Sequence, residues 1–391
     1  MTGTAHTVLI SGASVAGPTL AYWLRRHGFT PTIVERAATP RAGGQAIDVR
    51  GVAVEVAERM GVLADIRAAR TQMRGMAFVD ERGDELMSTT AMTFTGGPTD
   101  GPDVEILRDD LSAILLKATE GIEYRYGDSI SGIGQHDGGV DVTFERAQPR
   151  TFDLVIGADG LHSAVRGLAF GPERDCVTHL GKYLSVFTAP NFLDLDRWQI
   201  FHQPRPGVMA GLYTARDNTE TRVNMGFEAE PFDYDHRDVE LQKKLVADAF
   251  DGAGWVVPRM VEQMWRSPDF YFDSMAQVHL DSWSRGRVAL VGDAGYCASP
   301  LSGQGTSLAL VGAYVLAGEL KAAGGDHAAA FAGYERQMRG FVAANQHLAT
   351  VNGEQMSTLL EEQVADGEAI EQRVGDHWVA SAANLITLQD Y

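Results

Sequence analysis

Two segments that lie far apart in the chain each combine a buried strand with a turn rich in small residues. The first runs from His6 to Glu35, where Thr7 to Ser11 is an apolar run typical of a strand buried on both faces. The turn Gly12 to Gly17 (GASVAG), a helix, a stop at Gly28 and a second strand follow. This order predicts a βαβ unit that binds a dinucleotide.

The turn departs from the G-x-G-x-x-G fingerprint at one position. Ser14 stands where a second glycine normally lets the backbone approach a pyrophosphate, so its hydroxymethyl group has to point aside or bond the phosphate itself. Glu35 ends the second strand, where a carboxylate can bond an adenosine ribose. The alternative is a structural turn without a ligand. The dinucleotide contacts predicted from this unit are Gly12, Ser14, Val15, Ala16, Gly17, Glu35 and Arg36.

The second segment, Arg287 to Gly305 (RVALVGDAGYCASPLSGQG), is a strand that ends in an aspartate and is followed by a turn rich in Gly and Pro. A third segment, Asp153 to Arg166 (DLVIGADGLHSAVR), also places a turn after an apolar strand. Each alone could be a tight structural turn. An elongated dinucleotide needs an anchor at each end, so the three segments together favour a ligand site.

Composition narrows the class of protein. The 33 Lys and Arg against 52 Asp and Glu give a net charge of −19, which argues against nucleic acid and against an anionic membrane surface. Two cysteines cannot form a disulfide framework. The opening MTGTAH has no character of a signal peptide, and no apolar stretch is long enough to span a bilayer. We therefore expect a monomeric cytoplasmic enzyme.

The sequence offers no catalytic residue of its own. It contains no H-E-x-x-H, C-x-x-C or G-x-S-x-G motif, and His162, His202 and His279 lack a ligand partner at useful spacing, so no metal centre is expected. The acidic loop FDYDHRD, which includes Asp233 and Asp235, reads as a solvated face. A cofactor that carries the chemistry accounts for this pattern.

In these motifs the chain resembles the class A flavoprotein monooxygenases, the p-hydroxybenzoate hydroxylase superfamily. The segments GGQAIDVRG, EILRDDL, FYFD, SWSRGRVALVGDA and SPLSGQG make it most similar to the tetracycline-inactivating branch. The resemblance implies an α/β fold: a Rossmann-like (GR2-type) FAD-binding domain, an antiparallel-sheet substrate domain and a C-terminal helix. FAD would be bound non-covalently.

The resemblance also implies roles for single residues. Asp293 would bond the ribityl chain of FAD, and Pro300 would lie beside the isoalloxazine. Gly303, Gln304 and Gly305 would open a helix whose N-terminal amides face the flavin. Further cofactor contacts implied are Gln45, Asp48, Arg108 and Asp159, of which Asp48 could instead touch the substrate and Arg108 could merely cap a helix.

The expected FAD-binding domain is discontinuous and covers residues 1–72, 101–175 and 279–340. Residues 73–100 and 176–278 would form the substrate domain, a sheet of about five or six antiparallel strands laid over the flavin. Residues 341–391 would form a helical segment that closes the cavity. The candidate substrate contacts are Phe187, Thr188, Met209, Tyr213, Met225, Phe227, Pro300 and Gly303, and the alternative for the sheet residues is a role in the core.

The implied reaction is oxygenation of a tetracycline-like polycyclic substrate through a flavin C4a-hydroperoxide, with O2 as co-substrate and NAD(P)H as a transient reductant. One alternative is an aromatic or polyketide hydroxylase of biosynthesis or catabolism. An alternative of another class is a non-catalytic carrier on the same fold, which would have decayed cofactor motifs.

Overall fold

The computed structural model describes residues 6–40, 43–94, 101–361 and 382–391, with the backbone alone for 355–361. Its strands are β1 Thr7–Ser11, β2 Thr30–Glu35, β3 Ala46–Val49, β4 Gly75–Val79, β5 Glu85–Thr89, β6 Val104–Leu107, β7 Glu123–Tyr126, β8 Ile130–His136, β9 Gly139–Phe144, β10 Arg150–Phe152, β11 Leu154–Gly157, β12 Val177–Pro190, β13 Trp198–Arg205, β14 Val208–Ala215, β15 Glu220–Glu228, β16 Tyr271–Val278, β17 Ser284–Arg285 and β18 Val288–Leu290.

The helices of the described residues are α1 Ala16–Arg26, α2 Val52–Arg59, α3 Leu63–Ala68, α4 Arg108–Ala118, α5 Ala164–Ala169, α6 Val239–Ala249, α7 Val257–Arg266, α8 Asp293–Tyr296, α9 Gly305–Ala322 and α10 His327–Glu361. Two single-turn 3-10 helices lie at Glu173–Asp175 and Pro300–Ser302.

A six-stranded sheet in the order β17-β18-β11-β1-β2-β7 forms the centre of the molecule, and only β17 runs antiparallel to its neighbour. Both faces of this sheet are covered. Val8 and Ile10 pack into the core that includes α1 and α9, whereas Leu9 packs into a core shared with β8 to β10. The uninterrupted apolar run in β1 follows from burial on both faces.

The second large sheet contains seven strands in the order β16-β12-β15-β14-β13-β4-β5. The expectation of five or six antiparallel strands was wrong in two respects. The sheet is larger, because β16 adds a strand beside β12, and β4 pairs with β13 in parallel (Trp198 opposite Gly75). Two strands joined by a hairpin have to run antiparallel. A long segment that includes strands of the first sheet separates β4 from β13, so these two strands can run parallel.

The C-terminal residues return to the first sheet's helices. Ile386, Leu388 and the ring of Tyr391 pack against the core formed with α1 and α9, and the Tyr391 hydroxyl donates a hydrogen bond to Glu319 (3.0 Å). The Tyr391 ring fits because residue 318 is glycine, where a Cβ atom would lie 2.1 Å from it. The part of the expected closing segment at 362–381 lies outside the described residues.

Helix α10 is continuous across position 340, so the expected domain boundary there does not coincide with a break in secondary structure. Helix α9 is the most apolar of the long helices and is buried along nearly its whole length. No helix within the described ranges combines the length and hydropathy needed to cross a bilayer.

We expect Tyr391→Ala to lower the free energy of unfolding by about 2–3 kcal/mol, because it removes a packed ring and its hydrogen bonds. Leu385→Ala, a matched change in the same segment at a side chain that is 58% exposed, should cost less than about 0.5 kcal/mol. Urea unfolding of both variants checks this. Equal stability of the two variants would show that the C-terminal residues do not anchor the fold.

Candidate functional site

One cleft of about 1270 Å³ lies between the two sheets. Its volume exceeds the roughly 300–1,000 Å³ of a pocket for one drug-sized ligand. At one end it is lined by the turn after β1 and by Glu35, and at the other by Asp293, the turn Pro300–Gly305 and one face of the seven-stranded sheet. The cleft therefore has room for an elongated molecule together with a second one.

The turn after β1 is held against the turn after β11 with no space to spare. Gly12 has φ +109°, and a Cβ there would lie 2.3 Å from the Ala158 carbonyl oxygen. A Cβ on Gly17 would lie 1.9 Å from the Gly12 carbonyl oxygen. Both positions thus require glycine, and the close approach puts the N-terminus of α1 at the cleft, where helix amides favour an anion such as a phosphate.

Ser14, the departure from the fingerprint, is exposed on the cleft wall beside Val15 and Ala16. Its side chain therefore faces open volume rather than the packed turn. The Glu35 carboxylate also lines the cleft, where it accepts hydrogen bonds from the backbone N–H groups of Ala13 (2.9 Å) and Ala37 (2.8 Å). A carboxylate accepts about four hydrogen bonds, so capacity for ribose hydroxyls remains.

Further side chains line the same end of the cleft: Arg36, Arg108, Tyr126 and Ser129. Tyr126 and Ser129 were not among the residues predicted from the sequence. Tyr126 ends β7, which pairs in parallel with β2 and places Tyr126 opposite Glu35. The signal was present, because a strand that follows helix α4 continues the βαβ pattern and ends at the same edge of the sheet.

Asp159 joins the β11 turn to the first strand. Its carboxylate accepts hydrogen bonds from the hydroxyl of Ser11 (3.2 Å) and from that of Ser163, and burial raises its pKa. Arg166, which is 1% exposed, donates to the Ala294 carbonyl oxygen (3.0 Å). This bond ties the second and third sequence motifs together beneath the cleft.

Asp293 begins α8 and is exposed to the cleft, where the surrounding protein partly desolvates its carboxylate and so raises its pKa. Gln304 precedes α9 and is fully buried, yet neither atom of its carboxamide has a partner among the described residues. An unpaired buried polar group costs about 1–3 kcal/mol, but these two atoms are enclosed by protein even without a ligand, so the part of the turn that is open to a ligand is the backbone at Gly305 and Thr306. The α9 N-terminus adds unpaired amides and the positive end of a helix dipole, which favour an anionic ring such as a reduced flavin.

Strand β3 forms the wall of the cleft between its two ends. Gln45 precedes this strand and Asp48 belongs to it, and both line the cleft. Asp48 forms an ion pair with buried Arg50 (3.1 Å) and stands opposite Glu105 of β6. Burial, followed by the charge of Asp48, raises the pKa of Glu105 to about 7. The Asp48 carboxylate therefore belongs to a cluster of charged groups at the cleft surface, together with Arg50 and Glu105.

The face of the seven-stranded sheet that borders the cleft is set by the alternation of its side chains. Met209, Gly211 and Tyr213 of β14 line the cleft, whereas Ala210 and Leu212 pack toward helices α6 and α7. The Tyr213 hydroxyl accepts a hydrogen bond from the Ala46 N–H (2.5 Å), which fastens the sheet to β3. On the neighbouring strands the cleft is lined by Gln199, Phe201, Gln203, Asn224 and Gly226.

The expected substrate contacts therefore divide into two groups. Met209, Tyr213, Phe227, Pro300 and Gly303 line the cleft. Phe187 and Met225 are fully buried in the core beneath the helices, and Thr188 donates its N–H to Asp269 (3.0 Å) outside the cleft lining. Phe187 and Met225 therefore have the core role that was the alternative for the sheet residues. Met225 lies there because the register places it opposite Ala210, which packs toward the helices.

The cleft thus has a tight glycine turn and a carboxylate at one end and an open helix N-terminus at the other. These are the features of a flavin dinucleotide site. The residues present fit FAD. The class of protein defined by the fold and the cleft is therefore a flavoprotein.

Comparison with known proteins gives the family. A model described as "FAD binding domain" matches residues 5–345, and the chain belongs to this family. A flavin-dependent monooxygenase of Legionella longbeachae is 41% identical, with 98% of each chain covered. An uncharacterized protein of Mycobacterium tuberculosis is 54% identical over 88% of this chain and 93% of its own length. The chain is an FAD-dependent monooxygenase.

A solved structure supports the same assignment. The crystal structure of tetracycline destructase Tet(51) superposes with a TM-score of 0.87 at 37% identity, covering 99% of this chain and all of that one. The similarity therefore extends over both sheets and the C-terminal residues rather than over the nucleotide unit alone.

We expect Gly17→Ala to lose most of the bound FAD, because the added methyl group meets the Gly12 carbonyl oxygen. Ser14→Gly, three residues earlier in the same turn, should retain FAD, because that side chain faces open volume. Flavin content from the ratio of visible to protein absorbance compares the two purified variants. A yellow Gly17→Ala protein with wild-type flavin content would contradict this account of the turn.

Proposed function

We propose that this monooxygenase oxygenates a tetracycline-like polycyclic phenol or enol, with NAD(P)H as a transient reductant and O2 as co-substrate. Bound FAD would supply the redox chemistry: two electrons come from NAD(P)H, one atom of O2 goes to the substrate and the other leaves as water. The observation that carries the proposal is the shared wall of the cleft. The turn Pro300–Gly305 and the open face of the seven-stranded sheet border one continuous volume.

This wall suits a broad, largely apolar molecule with a polar edge. Met209 and the Phe94 ring supply apolar surface, and Phe94 stacks on the buried Phe201 ring with centroids 4.1 Å apart. Asn224 and Gln203 supply polar groups on the same face. We propose that these side chains orient the substrate and keep water away from the reacting atoms.

The far end of α10 covers the cleft near the same turn. Asn352 donates a hydrogen bond to the Leu301 carbonyl oxygen (2.9 Å), and Asn352 and Gly353 are part of the cleft lining. We propose that this part of α10 closes the substrate side. Truncation after Asn345 would also remove the Tyr391 anchor, so single substitutions at Asn352 test the closure more cleanly.

The similarity to Tet(51) over the whole chain favours a tetracycline over other polycyclic substrates. An aromatic or polyketide hydroxylase is the competing assignment, and a panel of substrates separates the two. The FAD-loaded protein is incubated with NADPH or NADH and either a tetracycline or a simple aromatic polyketide. We expect a product one oxygen atom heavier from the tetracycline.

Two results would contradict the substrate assignment. Faster NAD(P)H oxidation that yields only hydrogen peroxide would make the tetracycline an uncoupling effector. Oxygenation of the aromatic polyketide alone would assign the chain to the competing class.

We expect Met209→Trp to raise KM for the substrate severalfold with flavin content unchanged, because the larger ring fills cleft volume. Leu212→Val on the same strand faces the helices and serves as the control. It should cost about 1 kcal/mol of stability and leave KM unchanged. Steady-state kinetics with product detection measures both variants, and an unchanged KM in Met209→Trp would remove β14 from the substrate site.

A further inference from the structure

Three side chains from distant parts of the chain meet where the β11 turn, the loop 229–238 and β16 converge on the cleft. They are His162, His236 and Asp273, and all three line the cleft. Each offers one nitrogen or oxygen ligand atom, and these atoms lie within 4.8 Å of one another. No motif spacing could reveal this cluster, because its members are separated by 74 and 37 positions.

The members of the cluster lie close enough together to share one ion. The His162 Nε2 atom lies 3.1 Å from one Asp273 oxygen and 3.2 Å from the other. Two ligands of one tetrahedral Zn²⁺ ion with bonds of about 2.0–2.1 Å lie roughly 3.3 Å apart. His236 is exposed, its ring centroid lies 4.0 Å from that of His162, and its ligand atom is within 4.8 Å of the other two.

The groups behind the cluster orient it as metal ligands are usually oriented. The His162 Nδ1 atom lies 2.8 Å from Glu173 Oε1, which directs the other ring nitrogen toward Asp273. The Asp273 carboxylate accepts hydrogen bonds from the Ser274 N–H (2.8 Å) and from the Tyr234 and Tyr271 hydroxyls (3.3 Å each). A histidine held by a carboxylate at its second nitrogen is the common arrangement around bound zinc.

We propose that His162, His236 and Asp273 bind a divalent transition-metal ion of the Zn²⁺ type, with Glu173 as the supporting carboxylate. Three protein ligands leave a fourth position for water. The ion would fasten the loop 229–238 to the β11 turn and to β16 at the edge of the cleft. This site is separate from the substrate contacts proposed above.

The charges of the cluster suit a cation. Asp273 and Glu173 flank His162, and Arg166 pairs with Glu173 (3.2 Å), which leaves one net negative charge beside the imidazole for a cation. Two imidazole ligands favour zinc, copper, iron or nickel over magnesium or calcium, which prefer oxygen.

The test uses the FAD-loaded protein without an affinity tag, treated with a chelator and dialysed against Zn²⁺ in the presence of excess Mg²⁺. Elemental analysis of the dialysed protein gives the bound zinc. We expect about one equivalent at micromolar Zn²⁺. His236→Ala and Asp273→Asn should each weaken binding by at least about tenfold, and Glu173→Gln by about 10–100-fold.

His136→Ala is the matched control, because this exposed histidine lies beside a carboxylate (Asp141, 3.6 Å) outside the cluster. It should bind zinc as the wild type does. Because His236 is exposed, its replacement by alanine should leave the fold intact. The melting temperature and the flavin content of the metal-free variant verify this. A wild type that binds no zinc at micromolar concentration, or a His236→Ala variant that binds it equally well, overturns the proposal.

Discussion

The parallel pairing of β1 with both β2 and β11 is the constraint on which the site depends. Parallel strands end at the same edge of a sheet, so the turns after Ser11, Glu35 and Gly157 are brought together although they are distant in sequence. The backbone of Gly12 donates to Val34 O (2.8 Å) and packs on Ala158 without room for a side chain. Strand β18 continues the same edge and delivers Asp293 to it.

This edge explains why the cofactor end was readable from sequence. A buried parallel strand needs a continuous apolar run, which Thr7 to Ser11 supplies, and a helix that starts at its end needs a tight turn, which Gly12 and Gly17 permit. Asp159, Asp293 and Gln304 were implied by the resemblance, and they fit the same pattern, since each follows a short apolar strand or stands at the start of a helix. Tyr126 escaped because β7 is short and only partly buried.

The substrate side was less readable for a physical reason. One face of the seven-stranded sheet packs against α6 and α7, and the other borders the cleft. Apolar residues therefore occur on both faces. Alternation shows which residues share a face, but it does not show which of the two faces borders the cleft. For this reason Met225 was predicted as a substrate contact instead of its neighbour Asn224, which lines the cleft. Clusters built from separate loops, such as His162 with His236, leave no trace in local spacing.

The central claim is that FAD lies along this cleft, with its adenosine at Glu35 and its flavin ring under the N-terminus of α9. A crystal structure of the protein grown with FAD measures this directly. We expect ribose hydroxyls within hydrogen-bond distance of the Glu35 carboxylate and flavin polar atoms at the backbone N–H groups of Gly305 and Thr306. A dinucleotide bound elsewhere, or a flavin ring that contacts neither of these N–H groups, would contradict this placement.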